Sequence, residues 1–475
     1  MTFILQQSIY AHIKLYAVLQ IIFIATVLLL HINSANADTD TLSLNSAVTA
    51  AKLNDPWLIG NQHSQDAIES MSIAAGTLPD PKISVNLLNL PTDTLDFNQE
   101  NMSQFKVGVS QMFPRGKSLA LKQKQLKQVS SKFPFQRQNR KAQVVVNVGR
   151  IWMDAYNAQQ SIALIEKDRP LFEQLVDVAE ASYSSALGRT RQQDIVRAQL
   201  ELTLLNDRLT ILKQKQEMFV ERLSEWLSDY FLNQYKTSDT VSGSVTWASL
   251  ELDRTIPDIQ MLNKPFFTAA QEINPQSLYA VFSKHPSILT LDQKIRAKET
   301  GIDLARQSYK PEWGLNASYS YRDDTPSGND RADFVSLGLQ FELPLFTGNR
   351  QDKVVESAVS LAAAVKTEKW LLIRRMIAGF EKARAQLYHL IERQNLYQQE
   401  LLPLMHEQAE ASLTAYTNDD GDFAEVVRAR IAELNASIDA LGIDVEIQKT
   451  IIQLNYYFIK NGDDIIVDSR TSGEL

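Results

Sequence analysis

The chain contains no cysteine among its 475 residues. This absence excludes disulfide bonds, thiolate metal sites and attachment to a membrane through a lipidated N-terminal cysteine. Histidine is scarce, and the four histidines after residue 37 do not lie within metal-ligand spacing of one another. They are His63, His285, His389 and His406. Since His285 directly precedes Pro286, we interpret it as a structural residue of a turn.

Catalytic motifs are also missing. The sequence contains no H-E-x-x-H, no G-x-S-x-G and no phosphate-binding loop. The acidic run from Asp419 to Glu425 lacks the residue register of a calcium loop. We therefore predict that the protein is not an enzyme and has neither a cofactor nor a metal site.

Long apolar runs are confined to the N-terminus. A run from Leu15 to Leu30 is followed by Ala35-Asn36-Ala37, which has the pattern of a signal-peptidase site. We interpret residues 1–37 as a signal peptide, with a retained membrane anchor as the alternative. No later stretch reaches the roughly 20 apolar residues that a spanning helix needs. The mature chain is then periplasmic, released, or inserted into a membrane as a barrel.

Positive charge is in deficit. The formal charge is −8, and loss of Lys14 with the signal peptide makes it −9. An acidic surface argues against nucleic acid or anionic lipid as the main partner.

The sequence contains an internal duplication. Five punctuating residues of the first half return in the second at offsets of 230 to 233. They are Pro56, Pro81, Gly116, Pro170 and Tyr183, which return as Pro286, Pro311, Gly348, Pro403 and Tyr416. Because these residues mark breaks between elements, the offset indicates a duplicated structural plan. We predict a first repeat over 38–228, a linker over 229–275, a second repeat over 276–460 and a tail over 461–475.

Each half contains two segments in which apolar and polar residues alternate. They start at Ile83, Phe105, Leu315 and Val335. Strands that are apolar on one face and polar on the other suit an outer-membrane barrel, in which one face contacts lipid. A half-buried sheet of a soluble protein is the alternative. Aromatic residues near the strand ends and polar links between the strands favour the barrel.

Four strands are too few to close a barrel, and an open edge in lipid leaves backbone groups without partners. Two copies would give eight strands and a lumen filled by side chains. Three copies would give twelve strands and a water-filled lumen. We therefore favour a homotrimeric pore.

Very long helical segments follow each strand pair. The first long segment covers Lys117–Ala186 and is followed by a return helix over Gln193–Leu227. The second covers Gln351–Tyr416 and is followed by a return helix over Asp422–Phe458. Pro134, Pro170 and Pro403 lie inside the long segments and are expected to bend them. Since Pro170 and Pro403 occupy matching positions, they suggest a shared bend, with two independent kinks as the alternative.

Four segments carry a resemblance to a known family. They are Leu78-Pro79-Asp80-Pro81-Lys82, the strand Ser84–Leu90, Val109–Gly116 and Pro344-Leu345-Phe346-Thr347-Gly348. Because these segments occur in this order and within a duplicated plan, the chain resembles the TolC-type outer-membrane factors. The resemblance covers this chain from about Leu42 to Ile459. The resemblance implies a mixed α and β membrane protein in which each protomer gives four transmembrane strands to a trimeric 12-stranded barrel. Long helical hairpins would form a periplasmic tunnel, and the linker and tail an equatorial collar; a plain ordered linker is the alternative.

The resemblance also implies a function. The protein would be the passive outer-membrane channel of a tripartite efflux system, surrounded by outer-membrane lipid. Its partners would be a periplasmic adaptor (membrane fusion) protein and an inner-membrane pump of the RND type, with no nucleic acid. The segments Leu78–Lys82 and Met112–Gly116 are most similar to the branch that exports heavy-metal cations. One alternative is a multidrug or type I protein secretion duct of the same fold. The other is a coiled-coil structural protein that forms no channel.

The first hairpin tip is expected to contact the adaptor. By resemblance Tyr183, Gly188 and Asp194 match the family pattern, with Leu187, Arg189 and Thr190 exposed beside Gly188. Ordinary helix-turn-helix chemistry, with Gly188 ending one helix and Asp194 beginning the next, explains the same residues.

The second tip is expected to gate the channel. By resemblance the gate consists of Tyr416, Asp419, Asp420, Asp422, Glu425 and Arg428. Asp419 stands where the family usually has glycine, and Glu425 where it usually has aspartate. Four carboxylates from each of three chains would favour cations and repel one another, so that Arg428 would be needed as a partner. The alternative is a solvated acidic turn with Asp422 as an N-cap.

Overall fold

A computed structural model of the chain describes residues 41–184, 191–235, 250–264, 266, 273–418, 421–459 and 466. The predicted signal peptide lies outside this part, as does all of the predicted tail except residue 466. The first series of elements is α1 (Leu44–Leu53), α2 (Pro56–Ala74), β1 (Lys82–Leu88), β2 (Gln104–Phe113), α3 (Ser118–Ser130), α4 (Phe133–Ser184) and α5 (Gln192–Tyr235). The second is α6 (Pro275–Phe282), α7 (Pro286–Ala305), a 3-10 turn (Arg306–Tyr309), β3 (Glu312–Tyr321), β4 (Phe334–Glu342), α8 (Gln351–Leu396), a π-helical turn (Tyr397–Leu401), α9 (Leu402–Thr417) and α10 (Phe423–Tyr456).

The four strands form one antiparallel sheet in the order β1-β2-β3-β4. One row of the register runs from Val85 to Val107, Tyr319 and Val335. The strands therefore lie where the alternating segments predict them, within a few residues at each end. Within the described residues, β1 and β4 each have a strand partner on one side only.

The two X-Pro turns of the repeat start α2 and α7 in the same way. A proline occupies the first helical position, where its missing N–H is not needed. Oδ1 of Asp55 accepts the N–H of Trp57 at 3.1 Å, and Nδ1 of His285 accepts the N–H of Ser287 at 3.2 Å. His285 is thus the structural turn residue that its position predicts.

The first long helical segment is not continuous, which corrects the prediction, because α3 ends at Ser130 and α4 begins at Phe133. Pro134 then lies in the first turn of α4, where it disturbs no helical hydrogen bond. The second stays helical from Gln351 to Thr417, with the π-helical turn inside it. None of the helices in the described part of the chain combines the length and apolarity that crossing a membrane requires.

The matching prolines are accommodated differently. Pro170 lies inside α4 without ending it. Before Pro403 the helix widens into the π-helical turn, where the N–H of Leu402 donates to the carbonyl of Tyr397, five residues earlier. The two copies therefore share the position of the proline but not the local helix geometry.

The helices are packed around two separate hydrophobic cores. The upper core, on the side of the sheet, includes Trp152, Phe282, Phe380 and Phe458. The lower core, toward the hairpin tips, includes Phe172, Leu205, Phe423 and Leu434. Both repeats contribute to each core, so that the two halves of the chain fold as one body.

Part of the predicted linker lies against the middle of the helices. Leu252 forms a parallel bridge with Leu42, and its backbone exchanges two hydrogen bonds of 3.0 Å with the side chain of Gln159. The N–H of Leu262 donates to Oδ1 of Asn455 at 2.9 Å. These contacts order the segment on α4 and α10, while its role as a collar stays a prediction.

Candidate functional site: the sheet and the hairpin tips

One face of the sheet is apolar and exposed. Leu337 is 84% exposed, and Ile83 and Val335 are each 75% exposed. The same face also carries Val85, Leu87, Val107, Val109, Leu315, Leu339 and Phe341. An apolar surface that crosses four strands is unstable in water and marks a surface that lipid or protein covers. The opposite face is mostly polar or small, with the row Ser84, Gly108, Ser318 and Ser336 at its centre, as a water-facing surface would be.

Arg115 joins the sheet to the helices. It lies in the turn after β2, and its guanidinium donates to the carbonyls of Ser308 and Lys310 at 2.9 and 3.2 Å. It also lies 2.6 Å from a carboxylate oxygen of Glu342, at the end of β4. Arg115 belongs to the family-like segment Val109–Gly116, but the sequence pattern does not indicate a role for it. Its partners are about 200 residues away in the chain, so no local pattern could identify them.

The links between the strands contact one another at the other end of the sheet. The guanidinium of Arg331 donates to the carbonyls of Asn98 and Glu100, both at 3.3 Å, and to the side chain of Asn101 at 2.9 Å. The two strand pairs of the repeat are therefore tied together by a contact between their loops.

At the first tip, Tyr183 lies in the last turn of α4 and Asp194 lies in the first turn of α5. Tyr183 is exposed, whereas Asp194 is only 6% exposed. A carboxylate oxygen of Asp194 accepts the N–H of Arg191 at 2.9 Å, so that this side chain caps the helix. The remaining predicted tip residues, Leu187, Gly188, Arg189 and Thr190, lie outside the described residues.

At the second tip the structure brings Tyr416, Asp422, Glu425 and Arg428 together. Asp422 is the N-cap of α10, where its Oδ1 accepts the N–H of Ala424 at 3.2 Å. Glu425 forms an ion pair with Arg428 one turn later. The ring of Tyr416 contacts that of Phe423 edge to face at 5.5 Å between centroids. Asp419 and Asp420 lie outside the described residues.

A charged cluster above the second tip joins α9 to α10. Arg430 lies 2.6 Å from Glu410 on α9 and 2.9 Å from Glu433 on its own helix. Nδ1 of His406 lies 2.6 Å from Glu433. The hydrogen bond from Arg430 lowers the pKa of Glu410, while burial raises the pKa of Asp168 on the neighbouring α4. In the sequence, the only sign of this cluster is that Arg430 and Glu433 are three residues apart on one helix, a spacing that allows an ion pair.

Metal-ligand geometry is absent from the described residues, in which no group of three or more histidine, aspartate or glutamate side chains is arranged to hold a metal ion. The charged cluster links α9 to α10 through the contacts of Arg430 with Glu410 and of His406 with Glu433. The guanidinium of Arg430 contacts the carboxylates of Glu410 and Glu433 and balances part of their negative charge.

No protein-family model and no curated protein sequence matches the chain. Solved structures do match it. A structure of CusC is 14% identical, with a TM-score of 0.69, and the match covers 88% of this chain and 92% of that one. The Campylobacter jejuni CmeC outer membrane channel is 12% identical, with a TM-score of 0.69 and coverages of 91% and 88%. The open-state Neisseria gonorrhoeae MtrE outer membrane channel is 13% identical, with a TM-score of 0.62 and coverages of 87% and 88%.

This chain has the fold of these outer-membrane channels. The predicted fold class is confirmed for the protomer, which contains an internally duplicated series with four strands and two long helical hairpins. The outer-membrane channel fold accounts for the one-sided pairing of β1 and β4. A sheet that four strands leave open in one protomer can be continued by other protomers.

Proposed function

We propose that the chain is the outer-membrane duct of a tripartite efflux system and conducts its cargo passively. The observation that carries this proposal is the exposed apolar face of the sheet, from Ile83 to Leu337, on a chain with two long helical hairpins. The apolar face suits the hydrocarbon of a bilayer, and the hairpins suit a tunnel in the periplasm. The duct would lie in the outer membrane, with outer-membrane lipid around its sheet.

The duct is a homotrimer. An edge strand in hydrocarbon leaves N–H and C=O groups unpaired, at a cost of several kcal/mol for each group. Association of β1 of one copy with β4 of the next removes both edges. Three copies give twelve strands and a water-filled lumen, whereas two copies give a barrel filled by side chains.

The two hairpins have different roles. The first tip, with Tyr183, Leu187, Gly188, Arg189 and Thr190, contacts the periplasmic adaptor. Asp194 is buried and accepts the N–H of Arg191, so its role is to stabilise the conformation of this tip. The second tip forms the gate. An inner-membrane pump supplies the energy, because the chain carries no phosphate-binding loop of its own. The resemblance to the TolC-type family supports a pump of the RND type.

The geometry of the second tip narrows the gate proposal. Asp422 caps a helix and Glu425 is paired with Arg428, so that their charges are partly compensated within the chain. Asp419 and Asp420 precede the cap and supply the carboxylates for the pore axis. Tyr416 packs against Phe423 and supports the turn.

The cargo consists of heavy-metal cations. The segments Leu78–Lys82 and Met112–Gly116, which resemble the metal-efflux branch, support this choice over a multidrug or type I secretion duct. Deletion of the gene tests it through a resistance profile. Loss of tolerance to copper, silver, cobalt, zinc or cadmium alone is the expected result, and loss of tolerance to dyes and antibiotics alone would contradict it.

The duct itself is tested by extraction and reconstitution. Outer-membrane extracts in mild detergent should contain a heat-resistant trimer, and the purified trimer should conduct ions across a planar bilayer. A soluble monomer without conductance would instead support the coiled-coil structural protein and overturn the proposal.

A further inference from the structure

The polar face of the sheet, opposite the apolar one, carries all of the charge in the four strands. The charged residues of β1 to β4 are Lys82, Lys106, Glu312 and Glu342. Lys82 shares a row of the register with Ser110, and Lys106 shares a row with Asn86. Because Asn86 follows Lys82 by four residues along β1, the two lysine rows lie about 13 Å apart.

The two glutamates are balanced by arginines at their end of the sheet. The guanidinium of Arg115 lies 3.7 Å from the carboxylate of Glu312 and 2.6 Å from that of Glu342. The guanidinium of Arg350 lies 3.9 Å from Glu342. Each of the two negative charges thus has a positive counterpart in the same chain, and the glutamates add no net charge to the polar face.

The two lysines have no such counterpart. Among the described residues, neither ammonium group forms an ion pair with a carboxylate, and Lys82 is exposed while Lys106 is half-buried. The acid that directly precedes β4, Asp333, accepts the phenol hydroxyl of Tyr319, which lies on the apolar face. Lys82 and Lys106 therefore give the polar face of each chain two uncompensated positive charges.

Protection of a strand edge does not account for both lysines. A lysine on an edge strand discourages pairing with a wrong chain, and this explanation suits Lys82 on β1. Lys106, however, lies on β2, which has a strand on each side. The position of Lys106 thus favours a role for the charge on the polar face itself.

Arg322 adds positive charge at the end of the sheet where the links between the strands lie. Its guanidinium carbon lies 4.0 Å from the ring centroid of Phe334, which belongs to the row of Lys106. The guanidinium donates to the carbonyl of Ala332 at 2.7 and 2.9 Å and to that of Asn101 at 3.3 Å. Carbonyl oxygens hold the side chain in place without neutralising its charge.

We propose that Lys82 and Lys106 make the barrel of the duct prefer small inorganic anions. This inference rests on the trimer proposed above, in which the polar face lines the lumen. Three chains place six ammonium groups there in two rings, and rings of lysine or arginine favour anions. The low-dielectric wall of a closed barrel concentrates their field, so that anions gather in this section and free cations are repelled. The lysines thereby lower the cation preference of the whole duct.

Modification of a single thiol measures the potential at the polar face, and the cysteine-free chain allows it without background. Ser84→Cys places the thiol between the two lysine rows, about 7 Å from Lys82 along β1 and about 7 Å from Lys106 across the strands. Both distances are shorter than the Debye length of about 8 Å at physiological ionic strength.

The purified trimer is treated with two methanethiosulfonates, one with a sulfonate group and one with a trimethylammonium group. The ratio of the anionic to the cationic reaction rate cancels differences in the reactivity of the thiol. We expect this ratio to exceed that of a free small thiol about fivefold, because two nearby positive charges attract one reagent and repel the other.

Three double variants in the Ser84→Cys chain separate charge from structure. Lys82→Gln with Lys106→Gln should lower the ratio toward that of the free thiol. Lys82→Arg with Lys106→Arg is the matched control, which retains the charge and should retain the ratio. Lys82→Glu with Lys106→Glu should bring the ratio below that of the free thiol.

The reversal potential of the conducting trimer in a salt gradient measures the effect on the whole duct. Without the cysteine, the glutamine variant should shift the reversal potential toward that of a more cation-selective pore. The arginine variant should leave it unchanged.

Two results would overturn the inference. One is a ratio of rates that the glutamine variant does not change, which would show that the lysines do not set the potential at the polar face. The other is a changed ratio with an unchanged reversal potential, which would remove their effect on the selectivity of the duct. Either result in a conducting trimer refutes this inference alone, whereas an unsubstituted protein without trimer or conductance refutes the proposed function.

Discussion

Gly379 of α8 lies directly under the hydroxyl of Tyr457, so that a Cβ built on the glycine would lie 2.3 Å from the phenol oxygen. The phenol ring has little room to retreat, because it packs against Phe282 and Phe380 at 5.9 and 6.2 Å between centroids. This glycine therefore sets the distance between α8 and the end of α10.

Replacement of Gly379 by alanine should destabilise the protein. The overlap forces side chains and backbone to shift, which typically costs about 1–3 kcal/mol and exceeds the roughly 1 kcal/mol that alanine gains in a helix. Thermal unfolding of the purified protein measures the effect. Gly60→Ala is the matched control and should leave the stability equal or higher, and equal melting of the two variants would contradict the packing role of Gly379.

Acid should weaken the fold through His285. The side chain is 1% exposed, and its Nε2 donates to the carbonyl of Tyr456 at 3.0 Å. Burial lowers the pKa of His285 from 6.5 to about 4. The unfolded chain therefore binds more protons than the folded chain between these two pH values. The contribution, about 3 kcal/mol, is fully present above pH 6.5 and is lost as the pH falls toward 4.

A matched pair of variants isolates this effect. His285→Asn retains a side chain that caps α7 but cannot titrate in this range, so the free energy of unfolding should depend less on pH between 6.5 and 4. His63→Asn removes an exposed histidine and should retain the full dependence. If the pH dependence of His285→Asn equals that of the unsubstituted protein, another group is responsible.

The strands and the X-Pro turns could be predicted from the sequence because their signals are local. Alternation at Val335–Leu343 and an Asp-Pro or His-Pro pair report on a few adjacent residues. The break after Ser130 was missed, since Pro134 fits equally well inside a kinked helix or in the first turn of a new one. The same limit applies to function. The sequence places Asp194 in a tip motif or at the beginning of a helix, and only the folded turn shows that its carboxylate accepts the N–H of Arg191.

The two faces of β4 should respond oppositely to charge. Leu337→Lys places a charge on the apolar face, which costs about 2–4 kcal/mol near the middle of a bilayer. Ser336→Lys places the same charge one residue away on the polar face. The first variant should lose most of its heat-resistant assembly in outer-membrane extracts, and the second should retain it. Equal losses would show that lipid does not cover the apolar face.

Asp419 and Asp420 should determine the ion preference of the pore. Removal of both charges with Asp419→Asn and Asp420→Asn leaves the Asp422 cap intact and takes six negative charges from the three tips of a trimer. Since rings of carboxylates favour cations, the reversal potential in a salt gradient should move toward that of a non-selective pore. Glu356→Gln, an exposed acid on α8, is the control and should leave the reversal potential unchanged. An unchanged reversal potential in the tip variant, with normal conductance, would show that these carboxylates face away from the axis.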